Sequence, residues 1–147
     1  MARAFGVGLL LVAALLLGAL WVFQGLLIYP APHYSANELE NLPPGLIALR
    51  DPLNPASVVG FYRPPLGGGA PRKLWLAFGG NGDLALHWDA VLARSATTDV
   101  GFLLVEYPGY GARAGNPSPE SLLTGTEATL QALAAHLGSS ARELEAR

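Results

Sequence analysis

The hydrophobic positions of this chain take several distinct spacings, and each predicts a different element. From Ala4 to Phe23, 20 residues pass without a charged side chain. At ~1.5 Å per residue such a helix spans ~30 Å, the thickness of a bilayer's hydrocarbon core. Further on, Gly45–Leu49 and Ser57–Tyr62 are short and rich in β-formers, which predicts two early strands arranged as a hairpin. Lys73–Phe78 is a compact apolar run, of the kind buried on both faces of a parallel sheet. After the break Gly79–Gly82, apolar residues at Leu84, Trp88, Val91 and Leu92 predict a helix to about Arg94, with Asp83 as its cap. Val100–Val105 predicts the next strand, stopped by Glu106–Gly111. Ser118 as cap, Pro119 in the first turn and apolar residues from Leu122 to Leu137 predict a second helix, ended by Gly138. The order strand, helix, strand, helix implies an α/β fold with a mostly parallel sheet.

Charge and proline sharpen the boundaries. The first charge after Arg3 is Glu38, and nine of the twelve prolines lie between Pro30 and Pro71. The expected organisation is a membrane anchor over 1–29, a Pro/Gly-rich stalk with early strands over 30–71, and an α/β region over 72–147. The apolar run exceeds the ~7–15 residues of a signal peptide core and lacks a good small-residue cleavage site, so an uncleaved anchor is expected over a cleaved signal. Residues 4–23 then have the lipid bilayer as partner, with Trp21, Phe23 and Tyr29 toward its interface. Arg3 precedes the run and no Lys or Arg follows until Arg50, so the amino terminus is expected in the cytoplasm and the body outside. One lysine against eight arginines points to a GC-rich bacterial genome, in which case outside means periplasm.

The composition excludes several function classes. Beyond the apolar run, eight Lys/Arg are outnumbered by eleven Asp/Glu, which argues against a nucleic-acid partner. With no cysteine there is no disulfide, thiolate metal site or catalytic thiol. His33, His87 and His136 are far apart, so no metal and no other cofactor is expected, and each histidine reads as inert.

Gly79-Gly80-Asn81-Gly82 follows an apolar strand and precedes a helix, a setting in which backbone N–H groups converge on an anion. Gly80-Asn81-Gly82-Asp83-Leu84-Ala85 satisfies the dinucleotide pattern G-x-G-x-x-A, with Glu106 where a ribose-binding acid would sit. Against that reading, Asp83 brings negative charge to the phosphate position, and the 26-residue spacing from Gly80 to Glu106 exceeds the usual ~20. The alternative is a loop that stabilises an oxyanion.

The second reading is strengthened by a resemblance. Leu27-Ile28-Tyr29-Pro30, Phe78-Gly79-Gly80-Asn81 and Glu106-Tyr107-Pro108-Gly109-Tyr110-Gly111, in that order, resemble the amino-terminal half of α/β-hydrolases. The nearest group is the membrane-anchored, serine-aminopeptidase-like hydrolases, which carry an L-I-Y-P-like element, an F-H-G-N loop and a D-Y-R-G-Y-G turn. The resemblance implies that Asn81 supplies an oxyanion-hole N–H, with Gly80 and Gly82 shaping its approach. Two positions depart: the loop histidine is Gly79 and the turn arginine is Pro108. Tyr107 and Tyr110 are expected to pack along the turn, and Glu106 to pair with nearby backbone or Arg113.

No serine here sits in the G-x-S-x-G nucleophile elbow of that fold. The resemblance therefore implies that no catalytic residue lies within the chain, that the Ser/Asp/His triad lies beyond Arg147, and that the sheet is truncated before the nucleophile strand. The expected function is the amino-terminal part of a membrane-anchored hydrolase of ester, thioester or amide bonds, inactive as this chain. The alternatives are a non-enzymatic, membrane-tethered α/β remnant or binding module and, less favoured, a dinucleotide-binding fold. Without the nucleophile strand, Lys73–Phe78 becomes a bare sheet edge, through which self-association is expected.

Overall fold

A computed structural model of the protein describes residues 2–145. The chain forms two compact units, Met1–Pro30 and Ala31–Arg147. The first is a single helix, α1 (Ala2–Ile28). Its segment Phe5–Ile28 has a mean hydropathy of 2.5 and is long and apolar enough to cross a bilayer. Among the described residues its large apolar side chains are all exposed.

The second unit is a four-stranded sheet with helices on both faces. Its strands are β1 (Ile47–Arg50), β2 (Val58–Arg63), β3 (Lys73–Phe78) and β4 (Val100–Val105), in the order β1-β2-β4-β3. The expected hairpin is present as the antiparallel pair β1/β2. The sheet is α/β in class but mixed, not mostly parallel: β2/β4 is antiparallel and only β3/β4 is parallel. Gly45, expected at the start of the first strand, lies in the turn before it, where its φ of 78° suits glycine.

Each face of the sheet carries its own core. On one face Leu49, Val59, Tyr62, Leu103 and Val105 pack with Leu133 and Ala134 of α4 (Pro119–Leu137) and Leu144 of α5 (Ala141–Glu145). On the other, Val58, Phe61, Phe102 and Leu104 pack with Leu46, Ala85 and Leu86. The cap of α4 forms as expected: Ser118 Oγ accepts Ser121 N–H at 3.1 Å, Ser121 Oγ accepts Ser118 N–H at 2.8 Å, and Gly138 ends the helix in the left-handed region at φ 64°. Leu123, one of the apolar residues that predicted this helix, is exposed on its outer face.

Two further expectations are corrected. The segment 84–94 is not one helix but a 3₁₀ turn (Ala85–Trp88), a short helix α3 (Asp89–Leu92) and a second 3₁₀ turn (Ala93–Ser95). Leu84, not Asp83, occupies its cap position. β3 is not buried on both faces: as an edge strand it leaves Trp75 62%, Leu76 38% and Phe78 48% exposed.

Of the stretch 30–71, read as a stalk with early strands, residues from Ala31 on belong to the second unit, with β1 and β2 as its strands. Pro32 C=O accepts Gly111 N–H at 2.8 Å, and Ala31 before it holds a positive φ of 42°. A non-glycine residue pays ~1–2 kcal/mol for that conformation, so the contacts around it must fix it. His33 Nδ1 donates to Gly111 C=O at 3.0 Å. The short helix α2 (Ala36–Glu40) follows, and its Glu38 pairs with His87 Nε2 at 2.9 Å. That pair and the Ser35 hydroxyl and N–H hold the Glu38 carboxyl down at about 2.

Candidate functional site

Gly79, Gly80, Asn81 and Gly82 leave the carboxyl end of β3 and turn sharply. Asp83 N–H donates to Gly80 C=O at 3.1 Å, closing a four-residue turn whose third residue, Gly82, has φ 84°. That geometry demands glycine at Gly82. Asp83 does not cap a helix; its Oδ2 accepts Gly80 N–H at 3.2 Å, inside the turn. Gly80 and Asn81 are exposed, Gly82 is half-buried, and among the described residues the N–H groups of Asn81 and Gly82 donate to no protein acceptor. The following 3₁₀ turn is too short to add much dipole, so what the loop presents to solvent is its own N–H groups.

The turn after β4 clasps this loop. Tyr107 Oη donates to Gly79 C=O at 2.8 Å, and Tyr110 Oη donates to Asn81 Oδ1 at 3.3 Å. The two rings meet edge to face at 5.5 Å, and Tyr110 is fully buried. The tyrosines thus pack along the turn as expected, and they also position the glycine loop, which their sequence gave no sign of. Burial raises the Tyr107 phenol, with Tyr110 and the Glu106 charge adding to the effect.

Behind the loop lies a buried polar network. Glu106 is 1% exposed; its Oε1 accepts Ala85 N–H at 3.4 Å and its Oε2 accepts the Tyr34 hydroxyl. Tyr34 Oη in turn accepts Leu86 N–H at 2.9 Å. Tyr34 and Glu106 therefore satisfy the first free N–H groups after the glycine loop, the role sequence reading had given to Asp83. Arg113 reaches the Glu106 main chain rather than its carboxylate, NH1 donating to Glu106 C=O at 2.5 Å.

Burial pushes the Glu106 carboxyl up, and the bonds from Tyr34 and from the Ala85 and Tyr107 N–H groups only partly offset it. Burial, then the adjacent Glu106 charge, pushes the Tyr34 phenol far up. A carboxyl raised in the native state binds more protons there than in the unfolded chain, so stability falls as pH rises above about 4.5 through the native value. Glu106→Gln should remove that fall. Urea midpoints between about pH 4.5 and 8 will then be flatter for the variant than for the wild type; equal slopes would place the pH dependence elsewhere.

Of the candidate residues, Gly80, Asn81 and Gly82 are together and open to solvent. His87 and His136 lie on the surface, away from the loop's hydrogen bonds. Among the described residues no three His, Asp or Glu side chains converge as a metal would require. No protein-family model matches the chain, and no curated protein matches it significantly.

Proposed function

We propose that this chain is the amino-terminal part of a membrane-anchored α/β-hydrolase, a serine hydrolase of ester, thioester or amide bonds. The observation that carries this reading is the glycine turn at the carboxyl end of β3, clasped by Tyr107 and Tyr110 from the loop after its parallel neighbour β4. In open α/β sheets the chemistry gathers at the carboxyl ends of parallel strands. In this reading a serine outside these residues attacks the carbonyl carbon and a histidine takes its proton. Asn81 N–H, with the N–H following the serine, holds the oxyanion. Helix α1 is the anchor, with its Arg3 end in the cytoplasm and the body outside.

The dinucleotide reading has less support, because the Asp83 carboxylate already occupies the Gly80 N–H that a pyrophosphate would take. A membrane-tethered binding module without catalysis is favoured by one observation, the uncovered apolar edge β3.

Two measurements test the hydrolase reading. The 147-residue chain should show no labelling by a serine-directed fluorophosphonate, since none of its serines has an elbow; labelling at any of them refutes the assignment of the nucleophile. A G-x-S-x-G coding sequence, in frame or frame-shifted, should lie within a few dozen codons after codon 147. Its absence sinks the hydrolase reading and leaves the binding module.

A further inference from the structure

The sheet has two edges, and they are built differently. β1 is four residues long, breaks register between Leu49 and Arg50, ends on an exposed arginine and is followed by Pro52. Shortness, irregularity, charge and proline are the devices by which sheets keep edges from pairing. β3 has almost none of them. It runs six residues in unbroken register with β4, from Lys73↔Val100 to Phe78↔Val105, and its single charge is at the first position. Side chains on both its faces are apolar and uncovered: Trp75 on the face shared with Phe102, and Leu76 and Phe78 on the other.

We propose that β3 pairs antiparallel with β3 of a second copy of this chain, about a twofold axis at Leu76. The product is a closed dimer with one continuous sheet, four strands from each copy. A twofold axis perpendicular to the sheet keeps every side chain on its own face, so the residue on the axis must pair with itself. With Leu76 there, Leu74 lies opposite the partner's Phe78 and Trp75 opposite the partner's Ala77, a large side chain against a small one. Lys73 and Arg72 fall opposite the partner's Gly79 and Gly80. Gly80 is where the Asp83 carboxylate sits, 3.2 Å from its nitrogen, so Arg72 of each copy meets an acid of the other.

Neighbouring registers lose these matches. An axis at Trp75 stacks Arg72 on Phe78 and takes it away from Gly80; an axis at Ala77 spends Trp75 and Leu74 on Gly79 and Gly80. The pairing also consumes the unprotected edge and leaves only the protected β1 outside, so association stops at two copies. The hydrolase reading gives the same edge to a strand of its own chain. The dimer rests on the edge and its register, not on that reading.

The test uses the full chain in detergent micelles. It contains no cysteine, so each introduced cysteine is unique. The wild type should have the protein mass of two copies. Opposed residues of an antiparallel pair are about 4.5–5.5 Å apart at Cα, within disulfide reach. Leu76→Cys should therefore cross-link to itself on mild oxidation. Leu74→Cys and Phe78→Cys should cross-link when mixed but not separately. Leu76→Lys sets two ammonium groups face to face on the axis and should weaken the dimer at least about tenfold, with unchanged circular dichroism.

A monomeric wild type overturns the proposal, as does a ladder of higher oligomers. A dimer that survives Leu76→Lys is held by α1 instead, and Leu74→Cys cross-linking by itself as fast as in the mixture shows another register; either result overturns it as well. None of these readouts measures hydrolysis, and each is made on the 147 residues given, without the strand that the hydrolase reading sets against β3.

Discussion

Arg113→Ala is expected to unfold the body of the protein, residues 31–147, under conditions where the wild type is folded. The guanidinium donates through NH1 to Val59 C=O at 3.1 Å, Glu106 C=O at 2.5 Å and Thr129 Oγ1 at 3.0 Å, and through NH2 to Gly125 C=O at 2.8 Å. These bonds join β2, the end of β4 and α4 at one buried point. Val59 and Gly125 keep other donors, Glu106 N–H and the Thr129 hydroxyl, but among the described residues Glu106 C=O has no other donor. Emptying the site costs on the order of 3–5 kcal/mol, against a total stability of roughly 5–15 kcal/mol for a domain. Arg113→Lys should rescue little, because an ammonium group cannot reach acceptors set around a planar fork. Burial draws the Arg113 pKa down, opposed by the charges of Asp51 and Glu106. Urea denaturation followed by circular dichroism reads the effect; an alanine variant with the wild-type midpoint would remove Arg113 from the centre of the fold.

Gly60→Ala should be nearly as damaging, for a different reason. A Cβ at Gly60 would lie 2.5 Å from Leu104 C=O and 2.8 Å from Thr129 Cγ2. The first obstacle is the main chain of the adjoining β4, which cannot move without breaking the β2/β4 ladder. A cost of about 3 kcal/mol follows from overpacking of this kind. Thr129→Ser in the same chain removes the methyl and keeps the hydroxyl, so it should recover part of the loss but not all. Complete recovery would show that the methyl, not the carbonyl, sets the limit.

β3, β4 and α4 were legible because each is an apolar run bounded by glycine, proline or a serine cap. Lys73–Phe78 and Val100–Val105 are recovered to the residue, and α4 begins and ends at its expected caps. Exposure was not legible. An apolar strand buried on both faces and an apolar strand at an uncovered edge have the same composition, and only the strand order separates them. The antiparallel insertion of β2 beside β4 was likewise hidden, since it depends on a hairpin folding back over the sheet and not on any local pattern.

At the candidate site, the glycines predicted the turn and its position after β3. The side chains around it were missed for a common reason: their partners are distant in sequence. Tyr34 finds Leu86 across 52 residues, and Tyr107 finds Gly79 across 28. Asp83 was misassigned because Asp at a helix start is the usual cap, whereas here the loop closes on itself and takes that carboxylate for Gly80 N–H.

The strap at residues 32–34 also sets the order in which this protein can finish folding. It is the first part of the body to be synthesised, yet it is bonded to Gly111, 78 residues later than His33. At roughly 5–20 residues per second, about 4–16 s separate the strap's appearance from that of its partner. Through that interval Pro32 and His33 lack their native partner, Tyr34 lacks Glu106 for most of it, and the left-handed turn at Ala31 is without the Gly111 bond that follows it. The first-made part of the body is thus bonded only once Gly111 has been added, and a ribosome pause between codons 34 and 111 should lengthen the exposure of residues 32–34 to proteases.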